Sequence, residues 1–271
     1  MIKKFEQELA FNGLSKNTIG LYVNTIKLIN TKFNVDINNL KDENIKELVI
    51  KFRDTLSKSS CNTYIAVLRK WREFTKQEYQ LPKAVNPEIE IPDYFSEDYF
   101  LDEIVPAIKI LFNSEIKIKA LFYLLFYSGL RVGELCNLNK EDFNLKECSI
   151  KIQKRKAKNP IVIYYPKGLN DILELHFNNN PLDKKAFNIE PCSVRYYCKV
   201  LSKNLNKKMH PHLFRHSFAV MFLRKGGDLS TLKELLGHKN INSTLIYSKM
   251  SREDIEEKYR KIIKIKRRPK S

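Results

Sequence analysis

Leu235-Leu236-Gly237-His238-Lys239-Asn240-Ile241-Asn242-Ser243-Thr244-Leu245-Ile246-Tyr247 sets a tyrosine nine residues beyond a histidine. Upstream of it, His210-Pro211-His212-Leu213-Phe214-Arg215-His216-Ser217-Phe218-Ala219 holds a histidine and an arginine three apart. Further upstream, Ser128-Gly129-Leu130-Arg131-Val132-Gly133-Glu134-Leu135 carries another arginine just after a glycine. Gly129 reads as a helix stop and Arg131 as the start of the next helix, where backbone N–H groups also favour an anion. His212 and Arg215 share one helical face and can reach one phosphate. Gly237 permits a tight turn or a close approach before His238. In this order the segments predict a helix-rich C-terminal half that gathers cations, hydrogen-bond donors and a nucleophile around a phosphate.

The residue types suit that chemistry. A phosphodiester repels nucleophiles, and its transition state concentrates charge on the non-bridging oxygens, so fixed donors must stand there beforehand. Arginine offers a planar fork of parallel donors and stays charged near neutral pH, which fits Arg131 and Arg215. A histidine titrates near neutrality and can take the tyrosine proton or hold an oxygen, the role open to His212. Tyr247 must lose a proton with a pKa near ~10 as it attacks, which nearby positive charge makes easier. The chain has 13 tyrosines, so it is position rather than residue type that singles out Tyr247. Glu134, in a first helical turn, reads as an acid that holds Arg131, and Asp142 reads as a cap or turn residue. His210, His212 and His216 also crowd together, but no cysteine or carboxylate lies at metal-ligand spacing and the arginine among them would repel a cation. His216 reads as a residue that supports the fold.

Composition points the same way. The 271 residues suit two ordinary domains, and 49 Lys and Arg against 31 Asp and Glu give a net charge of +18. That excess favours a polyanionic partner, above all nucleic acid, through release of condensed counterions. Five cysteines form no C-x-x-C pair, and with no apolar leader the chain reads as reduced and cytoplasmic. The most apolar run, Ala120 to Tyr127, is far shorter than the ~20 residues of a membrane helix. No membrane association is expected.

Residues 1–84 read as a domain of short helices. A cap at Leu14-Ser15-Lys16-Asn17-Thr18 precedes an apolar face of Ile19, Tyr22, Val23, Ile26 and Ile29. After Ser59-Ser60 a second stripe, Tyr64, Val67, Leu68, Trp71 and Phe74, has Arg69 and Lys70 beside it as candidate phosphate contacts. Pro82, Pro87 and Pro92 mark a linker at 85–95. Residues 96–271 read as a larger helical domain with one β-hairpin: Ile150 and Ile152 alternate with Lys151 and Gln153, and Pro160 to Tyr165 returns after a polar turn. The fold class expected is therefore mainly α, an α+β arrangement with a small antiparallel sheet. The tail from Lys258 to Lys270 holds eight Lys or Arg and no acid, interleaved with Tyr259, Ile262, Ile263 and Ile265.

These motifs, Arg131, His212 with Arg215, and His238 with Tyr247, closely resemble the tyrosine recombinase family of phage integrases and Xer proteins. The resemblance runs firmly from Ser128 to Tyr247, and Leu14 to Ile29 with Ser60 to Phe74 resemble the family's helical core-binding domain. It implies a site-specific recombinase that needs neither metal nor other cofactor. Tyr247 attacks, a 3′-phosphotyrosine and a 5′-hydroxyl form, and a Holliday junction follows. It also implies a lysine on the hairpin that protonates the leaving oxygen. Counting forward from Arg131 falls on Arg155. Aligning Ile163-Tyr164-Tyr165-Pro166 with the family's strand end selects Lys156, with Lys154 and Lys158 the next candidates; the others are left as phosphate contacts. The partners implied are a double-stranded DNA recombination site, a homotetramer on DNA whose C-terminal helix packs onto a neighbour, and an accessory activator. Two rival readings stand beside it: a type IB topoisomerase with the same nucleophile logic, and a catalytically idle DNA-binding factor.

Overall fold

A computed structural model describes residues 1–84, 93–113, 115–152 and 161–237. The chain divides into two compact units, Met1–Ile89 and Glu90–Ser271. The first is built from four helices, α1 (Ile2–Phe11), α2 (Lys16–Lys32), α3 (Asp42–Thr55) and α4 (Lys58–Thr75). Helix α2 starts at Ser15, whose hydroxyl accepts the Thr18 N–H at 3.2 Å. Helix α4 starts two residues earlier than Ser59-Ser60 suggests, because Ser57 takes the same role toward Ser60 N–H. The predicted stripes turn inward: Ile26, Ile29, Val67, Leu68 and Trp71 are fully buried, joined by Phe5 of α1 and Phe52 of α3. Trp71 fixes the packing. Its indole N–H donates to the Ile37 carbonyl at 2.8 Å, and its ring meets Phe5 edge-on with centroids 5.0 Å apart.

The second unit is organised around α7 (Glu115–Ser128). Ala120, Leu121, Phe122, Leu124, Leu125 and Phe126 show no exposure, so this helix is apolar on every side and forms the centre of the unit. Around it lie α5 (Glu97–Tyr99), a π-helical turn at Phe100–Ile104, α6 (Val105–Leu111), α8 (Val132–Asn137), α9 (Asn170–Asn178), α10 (Pro191–Asn204), α11 (Pro211–Arg224) and α12 (Leu229–Leu236). Phe100 stacks on Phe126 at 4.4 Å.

The sheet has three antiparallel strands in the order β1 (Phe143–Asn144), β2 (Ser149–Ile152), β3 (Ile161–Tyr164). Ile150 pairs with Ile163 and Lys151 with Val162, so the alternation seen in sequence buries Ile150, Ile152 and Ile163 and leaves Lys151 exposed. Strand β1 adds Phe143 opposite Ile150; with only two residues it shows no alternation of its own. The fold class is the mainly helical α+β arrangement expected. Among the described residues no helix is long and apolar enough to cross a membrane.

Trp71→Ala removes a fully buried indole and leaves a cavity among Phe5 and Phe74. A loss of about 3–5 kcal/mol in unfolding free energy is expected from urea denaturation followed by circular dichroism.

Candidate active site

Gly129 ends α7 with φ +64°, and Arg131 then opens α8 as its N-cap residue. Glu134 holds that arginine twice. Its Oε2 accepts from the Arg131 backbone N–H and its Oε1 from Arg131 Nη1, both at 2.9 Å. The carboxylate fixes the direction of a half-exposed guanidinium while most of its donor fork remains for an anion. The reading of Glu134 as a holder of Arg131 agrees with this geometry. Asp142 caps a short turn, accepting the Asn139 N–H at 2.7 Å.

Helix α11 carries His212 and Arg215. Pro211 occupies its first turn, and the N-cap His210 accepts the Leu213 N–H on Nδ1 at 3.1 Å. His212 is exposed, whereas Arg215 is buried at 4% exposure. A buried guanidinium requires partners, and two of them come from distant segments. Arg215 Nη1 donates to the Gly129 carbonyl and Nη2 to the Leu236 carbonyl, each at 2.6 Å. One side chain thus joins the segments of Arg131, of the His-x-x-Arg helix, and of the residues leading to His238. Gly237, with φ +58°, ends α12 just before His238.

A cleft of about 1000 Å³ brings Arg131 and His212 together, lined also by Glu134, Asn137, Lys151 and Ile152. The end of β2 enters this cleft, and residues 153–160 follow it. Lys154, Arg155, Lys156, Lys158, His238 and Tyr247 lie outside the described residues. Arg69 and Lys70 belong to α4 in the first unit, where Lys70 pairs with Glu73 at 2.7 Å.

The histidines of α11 lie in a positive field. Burial first, then Arg215, His210, Arg131 and Arg195, hold the His212 imidazole below its ordinary range, so it is neutral at pH 7 and can exchange a proton. Burial, His212, His210 and Arg215 depress His216 further, to about 4. Two of the cations here carried no motif. Arg195 comes from α10, which packs against both α8 and α11, and Lys151 comes from the exposed side of β2. Helix packing and strand register bring them in, and neither is marked by local sequence.

Two outcomes follow from this geometry. A Cβ at Gly129 would lie 2.4 Å from Phe218 Cδ1 and 3.0 Å from Leu236 Cδ2, at a backbone angle few side chains adopt. Gly129→Ala is expected to cost about 1–3 kcal/mol, read by chemical denaturation, and to disturb the carbonyl that Arg215 grips. His216 binds a proton near pH 6.5 when unfolded but only near pH 4 when folded. Its contribution is therefore fully present above pH 6.5 and is lost as the pH falls toward 4. The melting temperature should fall across that window, and His216→Gln should flatten the fall; an unchanged slope would show that His216 is not the responsible group.

Residues 100–254 match the Phage integrase family, and residues 2–79 match the phage integrase N-terminal SAM-like domain. Tyrosine recombinase XerA of Thermococcus onnurineus (strain NA1) is 26% identical over 268 residues, covering 95% of this chain and 93% of its own length. Tyrosine recombinase XerD of Staphylococcus saprophyticus is 27% identical, covering 91% of this chain and 92% of its own. Among solved structures, the Tn1549 transposon integrase in complex with circular intermediate DNA superposes with a TM-score of 0.70 at 17% identity, over 94% of this chain and 97% of that one. XerH bound to its difH substrate in a pre-cleavage complex gives 0.69 at 17% identity, over 88% and 77%. With the larger unit matched from Phe100 into the segment that carries Tyr247, and the smaller unit matched separately, the chain belongs to the phage integrase family.

Proposed function

We propose that this chain is a site-specific tyrosine recombinase acting on double-stranded DNA. The observation that carries the reading is the shared cleft of Arg131 and His212, built over a buried Arg215 that ties the motif segments together. Arg131 holds the non-bridging oxygens of the scissile phosphate. Arg215 adds positive charge beneath them and keeps the surrounding backbone in place. Neutral His212 accepts the Tyr247 proton or donates to a phosphate oxygen. Tyr247 attacks phosphorus, its O–P bond forms as the P–O5′ bond breaks, and Lys156 protonates the departing 5′ oxygen. His238 supplies a further donor. The phosphotyrosine conserves the energy of the broken bond, so religation to a partner strand needs neither ATP nor a metal.

Residues 1–84 serve as the helical DNA clamp, 85–95 as linker and 96–271 as the catalytic domain. Lys154, Arg155, Lys158, Arg69 and Lys70 contact backbone phosphates. Exchange between two duplexes calls for four protomers. The basic tail beyond Lys258, with its interleaved isoleucines, packs on a neighbour within that tetramer, and an accessory activator sets when cleavage begins. The action is cytoplasmic, where chromosomal DNA is reached. Relatives named XerA and XerD align over nearly the whole chain, which favours an Xer-type role such as resolving chromosome dimers; the likeness to a transposon integrase keeps mobile-element integration as the second reading.

A nicked suicide substrate taken from DNA flanking the gene tests the chemistry. Without metal or ATP, the wild-type chain should leave a covalent adduct on a denaturing gel, while Tyr247→Phe binds equally well and leaves none. Arg131→Ala should slow single-turnover cleavage by about 10²–10³. Tight binding by the wild-type chain with no adduct, even with partner proteins added, would replace the enzyme reading with that of a DNA-binding factor.

A further inference from the structure

Lys151 is a cation the proposed chemistry has not used, and it occupies an unusual position. It lines the same cleft as Arg131 and His212. It stands on β2, the middle strand of the sheet, bonded on one side to β1 and on the other to β3. Its neighbours Ile150 and Ile152 are buried, and its own backbone is in register with Val162. A one-residue slip would send Lys151 into the core and both isoleucines into solvent, so its exposed orientation is strongly enforced. The lysines at 154, 156 and 158 follow it along the same chain.

The acids of the cleft do not neutralise it. Glu134 is engaged by Arg131, and Asp142 caps the Asn139 N–H. Glu141 is the third carboxylate lining the cleft, and among the described residues no ion pair joins it to Lys151. A lysine on a central strand, with no ion pair among the described residues and lining one cleft with an oriented arginine and a neutral histidine, is matched to a second anion next to the one those residues would hold. In a DNA strand that anion is an adjacent phosphate, a single internucleotide step away.

We propose that Lys151 binds the backbone phosphate beside the scissile one, and so fixes the strand in register at the base of the hairpin. The inference rests on the recombinase reading above. It makes Lys151 a substrate-contacting positioning residue, distinct from the lysine that protonates the leaving oxygen. The compact charge of an ammonium suits this task, since only attraction to a phosphate is required and no bidentate geometry.

The test uses the full chain and the nicked duplex described above, in two versions: one with ordinary oxygen and one with sulfur at the bridging 5′ position. A thiolate leaves without a proton, so the sulfur version restores cleavage wherever a missing proton donor is the defect. Lys151→Ala should weaken binding about fivefold and reduce the slope of log affinity against log salt by about 0.9, the loss of one phosphate contact. Cleavage should recover at saturating DNA, Lys151→Arg should behave like the wild-type chain, and sulfur should give no selective rescue. Unchanged affinity and salt slope in Lys151→Ala would overturn the proposal. So would a cleavage defect that persists at saturating DNA and disappears with sulfur, because Lys151 would then be the proton donor. A wild-type chain that binds but forms no adduct fails the recombinase reading itself, whereas the salt slope of Lys151→Ala still reports on the phosphate contact.

Discussion

A buried arginine that grips two carbonyls from distant parts of the chain holds the site together. Arg215 lies on α11, yet its Nη1 and Nη2 end on Gly129 and Leu236, residues 86 and 21 positions away. Hydrogen bonds from a charged donor to a carbonyl are worth about 1.5–3 kcal/mol, and breaking them here would deprive a buried charge of both these acceptors. The geometry therefore locks as a unit. The turn that presents Arg131, the helix that presents His212 and the end of α12 that leads to His238 cannot shift independently. Gly129 is part of the same constraint: its left-handed backbone aims the carbonyl, and the lack of a Cβ lets Phe218 and Leu236 close over it.

Burial first makes added positive charge costly for His210, His212 and His216, and nearby charge adds to it, Lys208 at His210, Arg215 at His212, and the two other histidines with Arg215 at His216, so all three are held below their ordinary range. For His210 the result is structural, because its Nδ1 must stay an acceptor to cap α11. For His212, the exposed member, it leaves a neutral ring at pH 7 with one nitrogen able to accept and the other to donate. Burial first, and then cations of a kind suited to an anion, keep that ring unprotonated.

Much of this was legible because the decisive residues are tied to local rules. Gly129 as a helix stop, Arg131 at a helix start, Glu134 as its holder and Ser15 as a cap each follow from one or two turns of chain. The alternation of Ile150, Lys151 and Ile152 gave the strand and its faces. What escaped was set by tertiary packing. Strand β1 has only two residues, too few for periodicity, and exists because β2 offers it an edge. The depth of Arg215 could not be read either, because three-residue spacing places it on the same helical face as His212 but says nothing of burial. Arg195 reaches the field of His212 only because α10 packs between α8 and α11.

The distribution of cations around the cleft follows from the same distinction between fixed and adaptable parts. Arg131 is fixed by Glu134 and Arg215 by two carbonyls, so both are oriented before any phosphate arrives, while the register of a central strand fixes the face from which Lys151 projects. Groups oriented in advance need no reorganisation as charge develops, and this is what makes electrostatic stabilisation effective. A proton donor has a different requirement: it must meet the leaving oxygen at the moment the bond breaks. Strand register thus suits Lys151 to holding the substrate, the role proposed for it above, rather than to transferring a proton.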